Sequence, residues 1–474
     1  MRAGAQPNIH CGRSDADHEF SFWALNILQI AIRRSLVIDD VRIIVPVRIA
    51  FITSSLEPGR DGVGDYTRRL AGELIRQGHE SRLIALNDGQ KAETGVRKSE
   101  FELQSLDDSQ KLKSGKQKAE RKEPISDFLE RQESEGAAIE CLRLPASLDW
   151  EQRIEMSRRF LDEFSPDWMS LQFVPFGFHR KGLCFGLGKR LAALNTKGSW
   201  QVMFHELWLG LGEKSSLKHR VLGVLQRLII LDLMRRLRPR LVHTQAEPYQ
   251  KVLNREKIKA STLPLFSGIP HVTGDGWDDL LEPLVTNAVG KHQNQTKLYL
   301  AGVFGAVHPE WNAEQAVNTM LPLVQRFQKR LVLVFLGKNN LTTEATNKLK
   351  LTLKNRADVV IVGEKTSSEI SRILQSLDFG LATSPRQIIQ KSSSVATMLE
   401  HGLKMLVTRN DWRLRGAKSP LEEVSFRILS PEQFSLLETL PTRELKPTGD
   451  ISVKRVADQM LKEIKSLTAR ELPS

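Results

Sequence analysis

Residues 378–409 read DFGLATSPRQIIQKSSSVATMLEHGLKMLVTR, and this stretch decides the fold. Phe379 to Ala382 is a short apolar run, and Thr383-Ser384-Pro385 ends it, because proline cannot donate to a strand ladder. Lys391-Ser392-Ser393-Ser394 then opens a helix with Val395, Met398 and Leu399 on one face. Gly402 closes that helix and Met405 to Val407 resumes a strand. The unit is strand, loop, helix, strand. A serine cluster at a helix start leaves backbone N–H groups pointing beyond the strand end. With the helix dipole and Lys391 beside them, Ser392, Ser393 and Ser394 suit a phosphate or pyrophosphate. The same serines also suit plain helix capping.

Upstream the pattern repeats. Strands are expected at Lys297 to Ala301, Leu331 to Leu336 and Val359 to Val362, with helices near Ala313 to Gln328, Thr343 to Lys354 and Ser367 to Ser376. Each strand ends in small or cationic residues. Gly302-Val303-Phe304-Gly305-Ala306 follows the first, and its amides can face phosphate oxygens. Gly337-Lys338-Asn339-Asn340 follows the second, with Lys338 placed to neutralise a diphosphate or to lie in solvent. Gly363-Glu364-Lys365 follows the third. Glu400 lies two turns into the serine-capped helix, where it can accept ribose hydroxyls or be a solvated charge. Four strand ends carrying glycine, lysine or serine favour a ligand over capping alone.

The first half alternates in the same way. Val47 to Ile52 is a buried-strand run, followed by a glycine-rich loop, Thr53 to Asp65, that includes Gly62 and Gly64. A helix over Tyr66 to Gln77 and a strand over Arg82 to Leu86 complete a βαβ start whose glycines let backbone approach a ligand. Further strands are expected at Cys141 to Pro145, Trp168 to Val174, Gln201 to Phe204, Leu241 to Thr244 and Thr262 to Phe266. His205-Glu206 straddles the end of one of them. There His205 can hold a phosphate, bond a hydroxyl, act as a base oriented by Glu206, or be a satisfied structural histidine.

The fold class is therefore α/β, with two Rossmann-like, doubly wound parallel-sheet domains facing a cleft. Residues 1–46 carry five basic and five acidic residues and no strand-turn-helix unit, and are expected to form a mobile extension. Residues 47–288 form the first domain. Within it, 91–136 hold ten basic and eleven acidic residues and read as a disordered insertion. The polar segment from about His271 to Gln295 reads as a linker. Residues 289–440 form the second domain, and 441–474 form a tail whose helix, Val453 to Leu467, crosses back to the first.

Composition bounds the function. A chain of 474 residues with 40% hydrophobic and 26% charged content suits a soluble protein of two or more domains. The formal charge of +13 favours phosphorylated partners. Nucleic acid is disfavoured, since only 6% of residues are aromatic and no zinc-finger spacing occurs. Three scattered cysteines fit a reducing cytoplasm. The arginine-bearing helix from about Leu217 to Arg238 reads as a solvated face over a core, with contact to an anionic inner-membrane surface as the other reading. No Asp-x-Asp pair sits at a strand end, so no metal is expected.

Several of these pieces together resemble the retaining glycosyltransferases of the two-Rossmann (GT-B) fold, in the family 4-like group. Gly62-Val63-Gly64-Asp65-Tyr66-Thr67-Arg68-Arg69-Leu70-Ala71 is similar to that family's glycine loop and first helix. His205-Glu206, the segment Leu263 to Pro270, and Ser384 to Gly402 resemble its mid-domain histidine motif, its acceptor-domain closing segment and its donor-binding unit. The resemblance implies transfer of a sugar from a nucleotide-sugar donor, held by the second domain, to an acceptor held by the first, with no further cofactor. His205 and Glu206 would act near the bond being broken. Gly62, Gly64, Gly302, Phe304, Gly305, Lys338, Lys391, Ser392, Ser393, Ser394 and Glu400 would hold the donor. The family's two glutamates eight positions apart are replaced here by Ile389 and Thr397, and its Arg-x-x-x-x-Lys is missing after Gly302. A nucleotide-sugar epimerase and a nucleotide-binding protein without turnover are the alternative readings.

Overall fold

The computed structural model describes residues 45–58, 62–89, 124–194, 197–290, 297–417, 427–445 and 452–469, and the backbone of 37–38 and 41–42. Two sheets carry the fold. The first is built from β1 (Arg48–Thr53), β2 (Glu80–Asp88), β3 (Leu129–Ser134), β4 (Ala137–Pro145), β5 (Trp168–Phe173), β6 (Ser199–Phe204), β7 (Leu241–Thr244) and β8 (Ser261–Thr262). Its order is β8-β7-β6-β5-β1-β2-β4-β3, and every pairing is parallel except β3 with β4. The second is wholly parallel: β9 (Leu298–Phe304), β10 (Arg330–Leu336), β11 (Asp358–Gly363), β12 (Phe379–Ala382), β13 (Met405–Val407) and β14 (Ile428–Leu429), ordered β11-β10-β9-β12-β13-β14. These strands are continuous apolar runs because helices cover both faces.

Both sheets wind outward from a central strand and then reverse. The reversals fall between β1 and β5 and between β9 and β12, and such switch points are where doubly wound sheets bind ligands. The carboxyl edges of the two sheets face each other. Lys391 of the second domain meets Glu206 and Tyr249 of the first, the Glu247 amide donates to Gln390 Oε1 at 2.9 Å, and Gly212 bridges to Leu414. These are two Rossmann-like domains across a cleft.

The first helix, α1 (Gly62–Arg76), lies over β1 and β2 and is itself packed by the C-terminal helix, α12 (Val453–Ala469). Val453, Val456, Ala457, Met460, Leu461 and Ile464 of α12 join Phe51, Leu70 and Leu74 in one buried cluster. The chain thus returns from the second domain and closes a face of the first.

The structure differs from the sequence reading in two places. Within 91–136, residues 91–123 lie outside the described residues, but Leu129–Ser134 is the edge strand β3, joined to β4 by a turn with Glu135 at φ 49° and Gly136 at φ 82°. Apart from the exposed Leu129 its side chains are polar, so the ladder rather than burial holds it. The segment read as a linker from His271 to Gln295 folds over Trp277–Val289 as a π turn and a helix. Leu281, Val285 and Val289, spaced at i, i+4 and i+8, pack against Val332, Ile373 and Leu374. The crossing between domains is therefore shorter and earlier, at about 267–276. The expectation for residues 1–46 falls mostly outside the described residues, which there show a short antiparallel pairing of Val37–Ile38 with Val41–Arg42.

Candidate active site

The first domain's wall is set by β6. Its ladder to β5 continues one residue past the strand, through the His205 amide to the Phe173 carbonyl at 3.1 Å. His205 is buried. Its Nε2–H donates to Gln172 Oε1 at 2.9 Å, and its Nδ1 accepts from Gln245 Nε2 at 2.7 Å. The Tyr66 ring stands edge-on at 4.9 Å and stacks in turn on Phe266 at 4.4 Å. Burial, aided by the Lys391 charge, holds the imidazole down at about 3, so it is neutral near neutral pH. Of the roles weighed for His205, the satisfied structural histidine is the one its hydrogen bonds describe. Both ring nitrogens are occupied, which leaves none for a phosphate, a hydroxyl or a proton from substrate. Glu206, the next residue, carries its carboxylate toward the second domain.

The second domain's wall is built where β9, β10 and β12 end. Gly305 follows β9 at φ 78°, a region that favours glycine, and its amide donates to the Leu336 carbonyl at 2.9 Å. A Cβ there would lie 2.6 Å from Ser394 Oγ. Gly337, at φ 80°, packs against the Phe304 ring. Phe304, Gly305, Gly337 and Ser394 therefore converge. Past Pro385 the chain makes a 3-10 turn, Arg386–Lys391, and then enters α10 (Ser393–Glu400). Ser392 caps that helix, its Oγ accepting from the Val395 amide at 3.3 Å. The first helical bond runs from the Ala396 amide to the Ser392 carbonyl. The Ser393 and Ser394 amides make no hydrogen bond among the described residues. Capping and free amides thus coexist: Ser392 does the first, and Ser393 and Ser394 supply the second.

Lys391 joins the walls. Its Nζ donates to the Tyr249 hydroxyl at 2.6 Å, lies 4.6 Å from that ring's centroid, and is 3.6 Å from Glu206 Oε1. Burial pulls the lysine's pKa down, and Tyr249 and Glu206 more than offset it, so the ammonium stays charged. Its charge is felt at His205.

Other residues fall elsewhere. Gly302 lies inside β9, paired with Val334 and Gly380, and a Cβ would meet Leu377 Cδ1 at 2.3 Å. It is a packing glycine within the sheet, not a phosphate-binding amide. Gly62 is the exposed first residue of α1 and Gly64 is buried in its first turn. Lys338 is exposed just past Gly337, with no side-chain partner among the described residues. Glu400 is at the far end of α10, roughly 10 Å from Ser393 at 1.5 Å per residue. Its Oε2 accepts from the Ser267 amide at 2.9 Å, beside Thr397 Oγ1, which is 3.1 Å from Ser267 Oγ. Glu400 thus anchors the interdomain crossing through one of the two oxygens of the carboxylate read as a ribose ligand. Sequence reading missed Tyr249, whose position in a short helix gives no signal. It also missed Gln172, which shows only as a polar interruption in an apolar strand, and Gln245, just past the end of another.

No family model matches the sequence, and no curated protein sequence matches it. Solved structures do resemble it in shape. HepE of Anabaena in complex with UDP and glucose is 12% identical, with a TM-score of 0.48 over 89% of this chain and 100% of that one. The catalytic domain of starch synthase IV from Arabidopsis thaliana, bound to ADP and acarbose, is 10% identical, with a TM-score of 0.47 over 89% and 99%. The UDP-GlcNAc 2-epimerase of Methanocaldococcus jannaschii is 10% identical, with a TM-score of 0.42 over 89% and 100%. These are likenesses of fold at low identity; what the cleft does is read from its own residues.

Glu400 gives the crossing a pH dependence. Burial pushes its carboxyl from 4.5 up to about 7, against the pull of Arg69 and the Ser267 amide. The folded state therefore keeps a proton that the unfolded chain releases, so stability falls as pH rises from about 4.5 to about 7 and is flat above. Glu400→Gln stays neutral throughout. Its melting temperature relative to the parent chain is expected to climb between about pH 4.5 and about pH 7 and then level off. A constant difference across that range would show that Glu400 is not held protonated.

Proposed function

We propose that this chain is a glycosyltransferase that moves a sugar from a nucleotide-sugar donor to an acceptor. One observation carries the reading. The free amides of Ser393 and Ser394 open the helix whose Ser394 hydroxyl lies against the Gly305 turn, and Lys391, charged and half-buried, stands at the same helix start opposite Glu206. A helix N-terminus with a fixed ammonium is arranged for a diphosphate. When the bond from sugar to diphosphate breaks, negative charge grows on the leaving oxygen, and donors already in place stabilise it without reorganising. The donor thus lies along α10, with its sugar toward the Glu206 side and the acceptor against the first domain. Charge neutralisation by Lys391 and the two amides supports a reaction without a metal. Retention of configuration at the transferred carbon rests on the sequence resemblance.

The test is to incubate the chain with UDP-, ADP- and GDP-sugars, with and without a chelator, and to assay released nucleoside diphosphate and the anomer of the product. Diphosphate release that quickens with an acceptor and survives the chelator is expected. Release with a rearranged free sugar and no acceptor dependence would instead favour the epimerase. Nucleotide binding without release would favour a binding protein.

The same reading extends to a membrane-borne acceptor. Helix Leu217–Leu237 buries Ile229, Ile230, Leu233 and Leu237, as the sequence reading of a core-covering helix requires. Its amino-terminal half also exposes apolar side chains: Leu217 is 75%, Val221 59% and Leu228 52% exposed, with Val224 and Leu225 between them. Lys214, Lys218 and Arg220 lie at this end, in the segment that follows His205 and Glu206. An exposed apolar row flanked by cations suits the interface of an anionic bilayer. No helix among the described residues is long and apolar enough to cross one. Co-sedimentation with vesicles of anionic lipid is expected for the parent chain and is expected to fall at least tenfold for Leu225→Glu. Equal sedimentation of the two, or none of either, would remove the membrane from the account.

A further inference from the structure

The face of the first sheet beneath α1 and α12 is apolar on β1, β2 and β4, where Ile49, Phe51, Leu83, Ala85, Ile139 and Cys141 line it. On β5, β6 and β7 the same face turns polar. Ser170 and Gln172 alternate on β5, Gln201 lies on β6 with His205 just past its end, and His243 lies on β7 with Gln245 just past its end. None of the six is more than 6% exposed.

They form one continuous chain. Gln245 Nε2 meets His205 Nδ1 at 2.7 Å, and His205 Nε2 meets Gln172 Oε1 at 2.9 Å. Gln172 Nε2 donates to Ser170 Oγ at 2.7 Å, and Ser170 Oγ to Gln201 Oε1 at 2.5 Å. Gln201 Nε2 meets His243 Nδ1 at 3.0 Å, and His243 Nε2 meets Glu463 Oε2, on α12, at 3.0 Å. Glu463 is also held by Ser261 Oγ at 3.0 Å and Gln459 Nε2 at 3.2 Å. The hydrogen bond from His243 is the main cause holding the Glu463 carboxyl down at about 2, so it is ionised and can only accept.

With His243 neutral, that end condition fixes every proton: His243 carries its hydrogen on Nε2 toward Glu463, and its bare Nδ1 takes an amide hydrogen from Gln201. Gln201 then offers oxygen to the Ser170 hydroxyl, whose lone pair takes an amide hydrogen from Gln172. Gln172 offers oxygen to His205, which must therefore carry its hydrogen on Nε2. Every donor points toward Glu463. Buried polar chains with all partners matched are rigid, because any single reversal leaves two groups unpaired.

We infer that Glu463, on the C-terminal helix, is a positioning residue for the cleft: through this one-way chain it holds His205 in a single tautomer and orientation and so fixes the turn that carries Glu206 to Lys391. It touches neither donor nor acceptor. The chain itself is independent of the reaction; its bearing on sugar transfer rests on the function proposed above.

The experiment uses the full chain labelled with ¹⁵N-histidine at about pH 8, with His205 identified by the signal lost in His205→Gln. The parent is expected to show His205 as one species, Nε2 protonated and Nδ1 bare. In Glu463→Ala the terminal acceptor is gone, and the two His205 nitrogens are expected to move toward a tautomeric average. Glu463→Gln keeps an acceptor oxygen and is expected to restore the single species. Ser170→Ala cuts the chain midway without touching α12 and is expected to reproduce the Glu463→Ala spectrum. Turnover in both disrupted variants is expected to fall on the order of tenfold at nearly unchanged donor KM, as second-layer contacts commonly do. An unchanged His205 signature in Glu463→Ala and Ser170→Ala, or Nδ1 protonation in the parent, overturns the inference. Altered spectra with no enzymatic activity in any form would instead remove the functional reading and leave the chain standing.

Discussion

Lys391→Ala is expected to lower turnover of a nucleotide sugar by roughly 10²–10³-fold, the usual cost of losing one preorganised donor to a developing anion. The reason is its placement. Lys391 is held from the first domain by Tyr249 and Glu206 and sits at the start of the helix that offers the Ser393 and Ser394 amides. Removing it leaves the amides in place but takes away the charge that complements the second negative oxygen. Donor KM should rise as well, since the ammonium also meets the ground-state diphosphate. Stability should also fall, by about 1–3 kcal/mol, because the buried Tyr249 hydroxyl loses the hydrogen bond from Lys391, while Glu206, 41% exposed, can turn to water. Tyr249→Phe removes the 2.6 Å hydrogen bond but keeps the ring beneath the ammonium, and is expected to cost about tenfold or less. Steady-state kinetics on the two variants checks this. Parent-like kinetics in Lys391→Ala would take the lysine out of the site.

Gly305→Val should be almost as damaging, and mostly through binding. The residue sits at φ 78°, where a side chain costs on the order of 1–2 kcal/mol, more when branched at Cβ. The new Cβ would press on Ser394 Oγ at 2.6 Å, pushing the β9 turn and the start of α10 apart. Affinity for a nucleoside diphosphate is expected to drop by at least about tenfold, about 1.4 kcal/mol, with a loss of folding stability of similar size. Gly62→Ala is the control. That glycine is exposed, its φ is not positive, and a Cβ would meet nothing within 4 Å. Titration calorimetry on both variants separates a glycine needed for the ligand from one that merely starts a helix.

Much of the fold could be read from the sequence because the buried parallel strands of the second sheet have no polar face. Runs such as Arg330–Leu336 and Leu298–Phe304 announce themselves, and the loops after them are rich in glycine because backbone passes close to backbone there. Where the reading erred, local chemistry hid the cause. Strand β3 is written LERQES, and only its ladder to β4 makes it a strand. The helix up to Val289 opens with Trp277-Asp278-Asp279, and its two acids and neighbouring glycines mask a three-residue apolar stripe. The site was legible in part. Lys391 and the serines could be placed by strand-loop-helix order, whereas His205 was misjudged because its partners come from two other strand ends and a helix. Gln172, Gln245 and Tyr66 are adjacent to it only after the sheet has formed. The tie from Glu400 to the crossing was hidden for a related reason: its distance down α10 was clear, but Ser267, whose amide it accepts from, lies 133 residues upstream.

The central claim is that the start of α10 and the turn after β9 grip the diphosphate of a nucleotide. It is tested most directly by titrating a nucleoside diphosphate into the ¹⁵N-labelled chain while following the backbone amides of Ser393, Ser394 and Gly305. These three amides are expected to shift together and saturate with one affinity, to stay unmoved with the nucleoside alone, and to follow a weaker curve in Lys391→Ala. Binding that moves other amides but leaves these three in place, or no binding at all, would contradict it.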